Sequence, residues 1–220
     1  MTTLPTTLIQ FPEIKLPTSA AHQLRGFFGN LFKEKSTLLH NHYEDGTVMH
    51  RYPLVQYKVV DAVPTLVGIN EGAQLLVELF LSIKHLSIAG TDYPVLHKNI
   101  ATKNEILAVV PDELYDYHFK TLWMALNQKA YPEYMALKDE KDKKKFLDKV
   151  LVNNLLSFCK GVGYRVEHQI MAKAKLIEKT TNFKDNQMLG FSGSFVCNVD
   201  MPALVGVGKS VARGFGTIQK

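Results

Sequence analysis

The order of short β-favouring stretches and amphipathic helices over the first ~90 residues restricts the fold of this chain more than any other feature. Leu8–Lys15 favours an extended backbone and ends at Leu16-Pro17, so it reads as a first strand. Leu24, Phe27, Phe28, Leu31 and Phe32 then repeat at helical spacing behind a candidate cap, Ser19. Arg51–Val60 and Thr65–Ile69 are rich in β-formers, and Asn70 heads a second helix carrying Leu75, Leu76, Leu79, Phe80 and Ile83. With Leu86–Ala89 as a fourth strand, the series is βαββαβ, the ferredoxin-like arrangement used by RNA-recognition modules. The fold class is therefore α+β.

The second half is less regular. Glu105–Val110 reads as a strand, and Tyr115, Phe119, Leu122, Trp123 and Leu126 make a helical stripe. A further helix is expected over about 142–158, ending near Gly161 and Gly163. Ile170–Ile177 and Leu189–Val199 alternate as strands, and Phe215–Gln219 reads as the last one. This predicts a second, modified ferredoxin-like unit in tandem with the first, one helix replaced by a glycine-rich segment. The domains are set at 1–103 and 104–220.

Bulk properties narrow the function classes. The 220 residues are 46% hydrophobic and 21% charged, a globular rather than a disordered mixture. Cys159 and Cys197 are far apart in sequence and form no CxxC pair, which argues against a disulfide framework or a zinc knuckle. The start of the chain lacks the basic and apolar regions of a signal peptide, so a cytoplasmic protein without a membrane role is expected. Net charge is +5, and no acidic residue follows Asp200 while Lys209, Arg213 and Lys220 do. That balance permits a polyanionic partner.

Two clusters can carry chemistry. In the first, His40-Asn41-His42-Tyr43-Glu44-Asp45-Gly46, two imidazoles two residues apart on an extended chain project to one side. A two-residue turn at Asp45-Gly46 would set His42 opposite Met49 and His40 opposite Arg51. Cleavage of RNA through its own 2′-hydroxyl needs a base and an acid near neutral pH, which two histidines can supply. The rival readings are an exposed polar loop and a metal site of His40, His42 and His50. The metal site lacks a nearby cysteine or an HxxE partner to complete it.

In the second cluster, Gly206-Val207-Gly208-Lys209-Ser210-Val211-Ala212-Arg213-Gly214-Phe215-Gly216, four glycines allow close backbone approach while Lys209 and Arg213 add positive charge, a combination suited to phosphate. It is not a nucleotide-binding P-loop, because Ala203 stands where the first glycine is required and ten residues remain after Ser210. Trp123 and the aromatic residues around it read as core.

Together, His40-Asn41-His42, Arg51–Lys58 and Gly206–Gly216 resemble the CRISPR repeat-processing endoribonucleases of the RAMP superfamily, in its paired-histidine branch. The resemblance implies a tandem ferredoxin-like body that binds the repeat of precursor CRISPR RNA and cuts it without metal or cofactor, leaving a 2′,3′-cyclic phosphate and a 5′-hydroxyl. His40 and His42 would be acid and base, with Tyr43 or Tyr52 assisting. Arg51, Gly206, Gly208, Lys209, Ser210, Arg213, Gly214 and Gly216 would bind RNA. Family members vary in their catalytic sets, some including a lysine, which brings Lys58 into view. The resemblance also admits other Cas subunits or a second copy of the chain as partners, and a non-catalytic RNA-binding RAMP subunit as the alternative function. A metal-dependent hydrolase of a small phosphorylated compound is the rival from another class.

Overall fold

The structure, a computed structural model, describes residues 1–32, 35–39, 51–183 and 186–220. The chain divides into two compact units, one of residues 3–106 with 211–214, the other of residues 1–2, 107–210 and 215–220.

In the first unit, β1 (Thr2–Gln10) leads through a 3-10 turn at Thr18–Ala20 into α1 (Ala21–Leu31). A second 3-10 turn, Thr37–Leu39, comes before residues 40–50, and beyond them lie β2 (Val55–Val60), β3 (Val63–Ile69) and α2 (Glu71–Leu79). A small hairpin of β4 (His85–Ile88) and β5 (Thr91–Pro94) follows, and then β6 (Asn99–Val109). The main sheet runs β6-β1-β3-β2, fourth-first-third-second, which is the ferredoxin-like order. The fourth strand is therefore β6, and the expected one at Leu86–Ala89 belongs to an inserted two-stranded hairpin. Most of the first half of β6 is exposed, so it shows little of the apolar signal that marks a strand in sequence.

The β2–β3 connection has only two residues, Asp61 at φ 49° and Ala62 at φ 65°, the paired left-handed conformation that lets a tight hairpin follow the twist of its strands. Val55, Tyr57 and Val59 on one face of β2 pack with Leu24 and Phe28 of α1 and with Ile9, Phe11 and Leu76. Phe28 is central, with ring centroids 5.8 Å from Tyr57 and 6.4 Å from Phe11. The opposite sheet face carries Gln56, Lys58 and Thr65, all buried. Ser19 does not cap α1: the 3-10 turn extends the helix backwards, and the Ser19 carbonyl instead meets the His22 Nδ1 at 2.7 Å. Asn70 occupies the N-cap of α2, but its side chain makes no capping hydrogen bond.

In the second unit, β7 (Tyr115–Phe119) is followed by α3 (Ala130–Ala136), α4 (Glu140–Gly161), β8 (Ala172–Phe183), β9 (Asn186–Cys197), β10 (Val199–Asp200) and β11 (Ile218–Gln219). Its sheet runs β11-β7-β9-β8, the same fourth-first-third-second order, so the chain is two ferredoxin-like units in tandem. β10 pairs with the end of β6, Val199 opposite Val109. The helix expected through Tyr115–Leu126 is instead β7 and an extended segment. Tyr117 and Phe119 alternate with exposed Asp116 and His118, and Trp123 pairs with Phe191 of β9. Asp139 caps α4 by accepting from the Lys141 and Asp142 N–H groups, and Leu147, Leu151, Leu155 and Phe158 bury one face of that helix. Among the described residues, no helix is long and apolar enough to cross a membrane.

Candidate functional site

His40, His42, Tyr43, the Asp45-Gly46 turn and His50 lie outside the described residues, as does the pairing expected across that turn. Both ends of the segment are described. On the entry side, Leu39 is buried in the first unit's core, and its carbonyl accepts a 2.9 Å hydrogen bond from the Tyr57 phenol. Burial lifts the Tyr57 hydroxyl well above the usual tyrosine range, so it stays a donor. On the exit side, Arg51 is exposed, and the Tyr52 hydroxyl accepts from Gln56 Nε2 at 2.7 Å. Gln56, fully buried on β2, also donates to the Pro53 carbonyl at 3.2 Å.

The glycine-rich segment is divided between the units. Val211–Gly214 belongs to the first, where a 3-10 turn over Val211–Arg213 lies against β2 and α1. Gly214, at φ +89°, fits so closely that a Cβ there would stand 2.5 Å from the Ala21 Cβ. This brings Arg213 to Arg25, a residue that no sequence motif singles out. The Arg25 guanidinium is held below the ordinary arginine range, first by burial and then by the charge of Arg213, with Tyr57 acting in the other direction. A buried guanidinium with a second one beside it is a place where an anion is welcome. No sequence signal links them, since 188 positions separate residues 25 and 213.

In the second unit, the arms of the segment pair with each other. Gly206 bridges Thr217, and the Val207 N–H donates to the Gly216 carbonyl at 2.9 Å. Gly216 N–H donates to Leu122 O at 2.8 Å, and Lys209 N–H to Met124 O at 2.9 Å. Ser210 adopts φ 57° and the Lys209 side chain is exposed. The structure thus brings Gly206, Gly208, Lys209, Ser210 and Gly216 together as one loop base in the second unit. Arg213 and Gly214 join Arg25 and Tyr57 in the first.

Lys58 sits fully buried on the sheet face opposite Tyr57, and burial pulls its ammonium down to about 7. On the second unit's sheet, Lys173, Lys175 and Lys179 of β8 share one exposed face with Ile177, a basic row that the alternation of β8 makes visible only once the strand's full length is known. A cavity of about 620 Å³ between α4 and β8, lined by Tyr134, Lys143, Lys175 and Glu178 among others, contains none of the residues singled out from sequence.

Comparison with known proteins adds a family. Residues 2–106 match the Cas6b N-terminal domain and residues 109–220 the Cas6b C-terminal domain. The chain is similar to a crystal structure of Cas6b at 34% identity, covering 99% of each chain with a TM-score of 0.93. It is also similar to the crystal structure of a CRISPR RNA processing endoribonuclease, Cas6b, at 31% identity over 98% of each chain with a TM-score of 0.79. An uncharacterized protein of Methanocaldococcus jannaschii is 38% identical over 144 residues, 64% of this chain and 95% of that protein.

Proposed function

Because the chain belongs to the Cas6b family, we propose that it is an endoribonuclease that binds the repeat of precursor CRISPR RNA and cuts it through the RNA's own 2′-hydroxyl, without a metal ion. The observation that carries this reading is its similarity, along nearly its whole length, to a Cas6b that processes CRISPR RNA. One histidine of the His40/His42 pair takes the proton of the 2′-hydroxyl, the freed oxygen attacks the adjacent phosphorus, and the other histidine protonates the departing 5′-oxygen. The products are a 2′,3′-cyclic phosphate and a 5′-hydroxyl.

The anchoring of Leu39 by Tyr57 supports this assignment, since it fixes the residue directly before His40 to a rigid core. Tyr52, oriented by Gln56, and Tyr43 are the candidate assisting tyrosines. Arg25 and Arg213 hold a phosphate of the bound strand, and the exposed Arg51 adds positive charge to the RNA-binding surface. Gly206, Gly208, Lys209, Ser210, Gly214 and Gly216 shape the loop that grips RNA, and Lys173, Lys175 and Lys179 extend the basic surface. In this division residues 1–103 carry the chemistry and residues 104–220 carry much of the grip. A cytoplasmic setting fits the substrate.

The test is incubation of the purified chain with excess EDTA and repeat RNA, beside a control RNA whose 2′-hydroxyl at the cut site is replaced by hydrogen. One discrete cut with a cyclic phosphate end, blocked in the deoxy control, is expected. Tight binding with intact RNA would instead make the chain a non-catalytic RAMP subunit.

A further inference from the structure

We infer that the free edge of β8, where it runs beside α4, is a docking site for an extended acidic segment of a protein partner, which joins the second unit's sheet as a further strand.

Among the described residues β8 is the last strand of its sheet, paired with β9 alone. The cavity of about 620 Å³ lies along its other side, and the lining takes in five consecutive residues of the strand, 174–178. Neighbouring residues of a strand turn their side chains to opposite faces, so an unbroken run of five marks the edge and not a face. The far wall is one side of α4, with Glu140, Lys143, Lys144, Leu147 and Asp148. A groove between an edge strand and a helix is suited to receiving an extended peptide by strand addition.

The edge also has hydrogen bonds to give. Asp148 Oδ1 accepts the Ala174 N–H at 2.8 Å, so Ala174 turns its backbone away from β9. The Lys175 carbonyl, one residue out of phase, faces β9, where a Cβ on Gly193 would stand 2.1 Å from it. In an antiparallel ladder outward-turned residues recur at every second position, and β8 keeps one register against β9 from Ala172 to Phe183. The outward N–H and C=O groups are therefore those of Leu176, Glu178 and Thr180, and among the described residues none of them has a hydrogen-bond partner.

Charge selects the occupant. Each carboxylate lining the cavity is engaged within it. Glu140 pairs with Lys143 at 3.0 Å, Glu178 accepts from the Tyr134 hydroxyl, and Asp148 holds the Ala174 N–H. Lys144 and Lys175 have no ion-pair partner among the described residues, and Lys173 and Lys179 flank the same edge. Two copies of the chain paired through β8 would set these lysines against each other, which disfavours a second copy. A phosphate strand would suit the lysines but would bring negative oxygens to the outward carbonyls of β8. An acidic peptide satisfies both, with an N–H for each carbonyl and carboxylates for the lysines.

The probe is a capped synthetic peptide of alternating glutamate and valine, added to the ¹⁵N-labelled full chain. The amide signals of Leu176, Glu178 and Thr180 should move and their hydrogen exchange should slow at saturation. Methylating the peptide's backbone nitrogens should weaken binding at least about tenfold, since the ladder loses its donors. Lysine in place of glutamate should abolish it. Failure of the glutamate peptide to bind, binding that leaves those three amides unmoved, or equal binding of the methylated form would overturn the inference. Repeat RNA moving the same amides while the peptide does not would give the edge to nucleic acid and overturn it too.

Lys175 also belongs to the basic row of the outer sheet face, so Lys144→Glu is the variant that isolates the docking site. In that chain the Kd for the glutamate peptide should rise about three- to tenfold while the Kd for repeat RNA holds. An unchanged peptide Kd in a folded Lys144→Glu chain would count against the inference as decisively.

Discussion

The Tyr57 phenol and the Leu39 carbonyl meet at 2.9 Å inside the first unit, so a strand of the sheet holds the residue from which the paired histidines depart. Replacing Tyr57 with Phe leaves the ring stack on Phe28 and strips the carbonyl of its buried partner. The expected cost is about 1–3 kcal/mol of stability. Cleavage should fall while RNA affinity is retained, read by thermal unfolding, single-turnover cleavage and filter binding on one protein preparation.

His40→Ala and His42→Ala should each slow cleavage roughly 10²- to 10⁴-fold, the usual worth of a positioned acid or base, without weakening RNA binding. Single-turnover rates with repeat RNA measure this. Wild-type rates in both variants would move the chemistry elsewhere.

Arg25→Ala and Arg213→Ala should each weaken RNA binding and flatten the dependence of log Kd on log salt by about 0.7–0.9, the share of one phosphate contact. On the proposal that both side chains hold one phosphate, the double variant should depart from additivity. Kd measured across a salt series for the four proteins gives both quantities.

Lys58 makes stability depend on pH. Its ammonium in the fold is lowered to about 7 by burial, from an ordinary 10.5. Above pH 10.5 the group is neutral folded or unfolded. As pH falls from 10.5 to about 7 the unfolded chain takes up a proton that the folded one refuses, so stability declines. Below about 7 both forms are protonated and the loss is complete. Lys58→Met should therefore raise Tm at pH 7, with the difference between the two proteins shrinking towards pH 10.5. A Tm difference independent of pH would exclude the lysine as the titrating group.

Two glycines should respond in opposite directions to alanine. At Gly216, φ is +62° and a Cβ would lie 2.0 Å from the Val207 carbonyl oxygen, so Gly216→Ala should cost at least about 2 kcal/mol. Gly26 is exposed within α1 with nothing within 4 Å of an added Cβ, and Gly26→Ala should add about 0.5–1 kcal/mol. Urea denaturation of both variants tests the pair.

What can be read from sequence follows the reach of each signal. The stripe of α1 and the alternation of β2 and β9 are local and regular, and the structure contains those elements. The Tyr115–Leu126 region misleads because Tyr115, Phe119, Leu122 and Trp123 fall at helical spacing by accident of a strand followed by an extended turn. Buried Tyr117, out of phase with that stripe, is the clue to a period of two. Sequence places β6 only in part because its exposed portion, residues 99–104, lacks an apolar pattern. The Arg25–Arg213 and Tyr57–Leu39 relationships arise from tertiary closure, which no window along the sequence samples.

Residues 211–220 also set a schedule. Within them, 211–214 complete the first unit and Ile218–Gln219 supply the last strand of the second. The ribosome must add about 150 residues after β2 before the turn that packs on it exists, which takes on the order of ten to thirty seconds at bacterial speeds. Until then the Ala21 and Tyr57 surfaces that receive Gly214 stay uncovered, and β7 has one edge without its partner. Both halves of the protein are thus finished at nearly the same moment, by one short stretch of chain, so a nascent chain becomes able to handle RNA late and all at once.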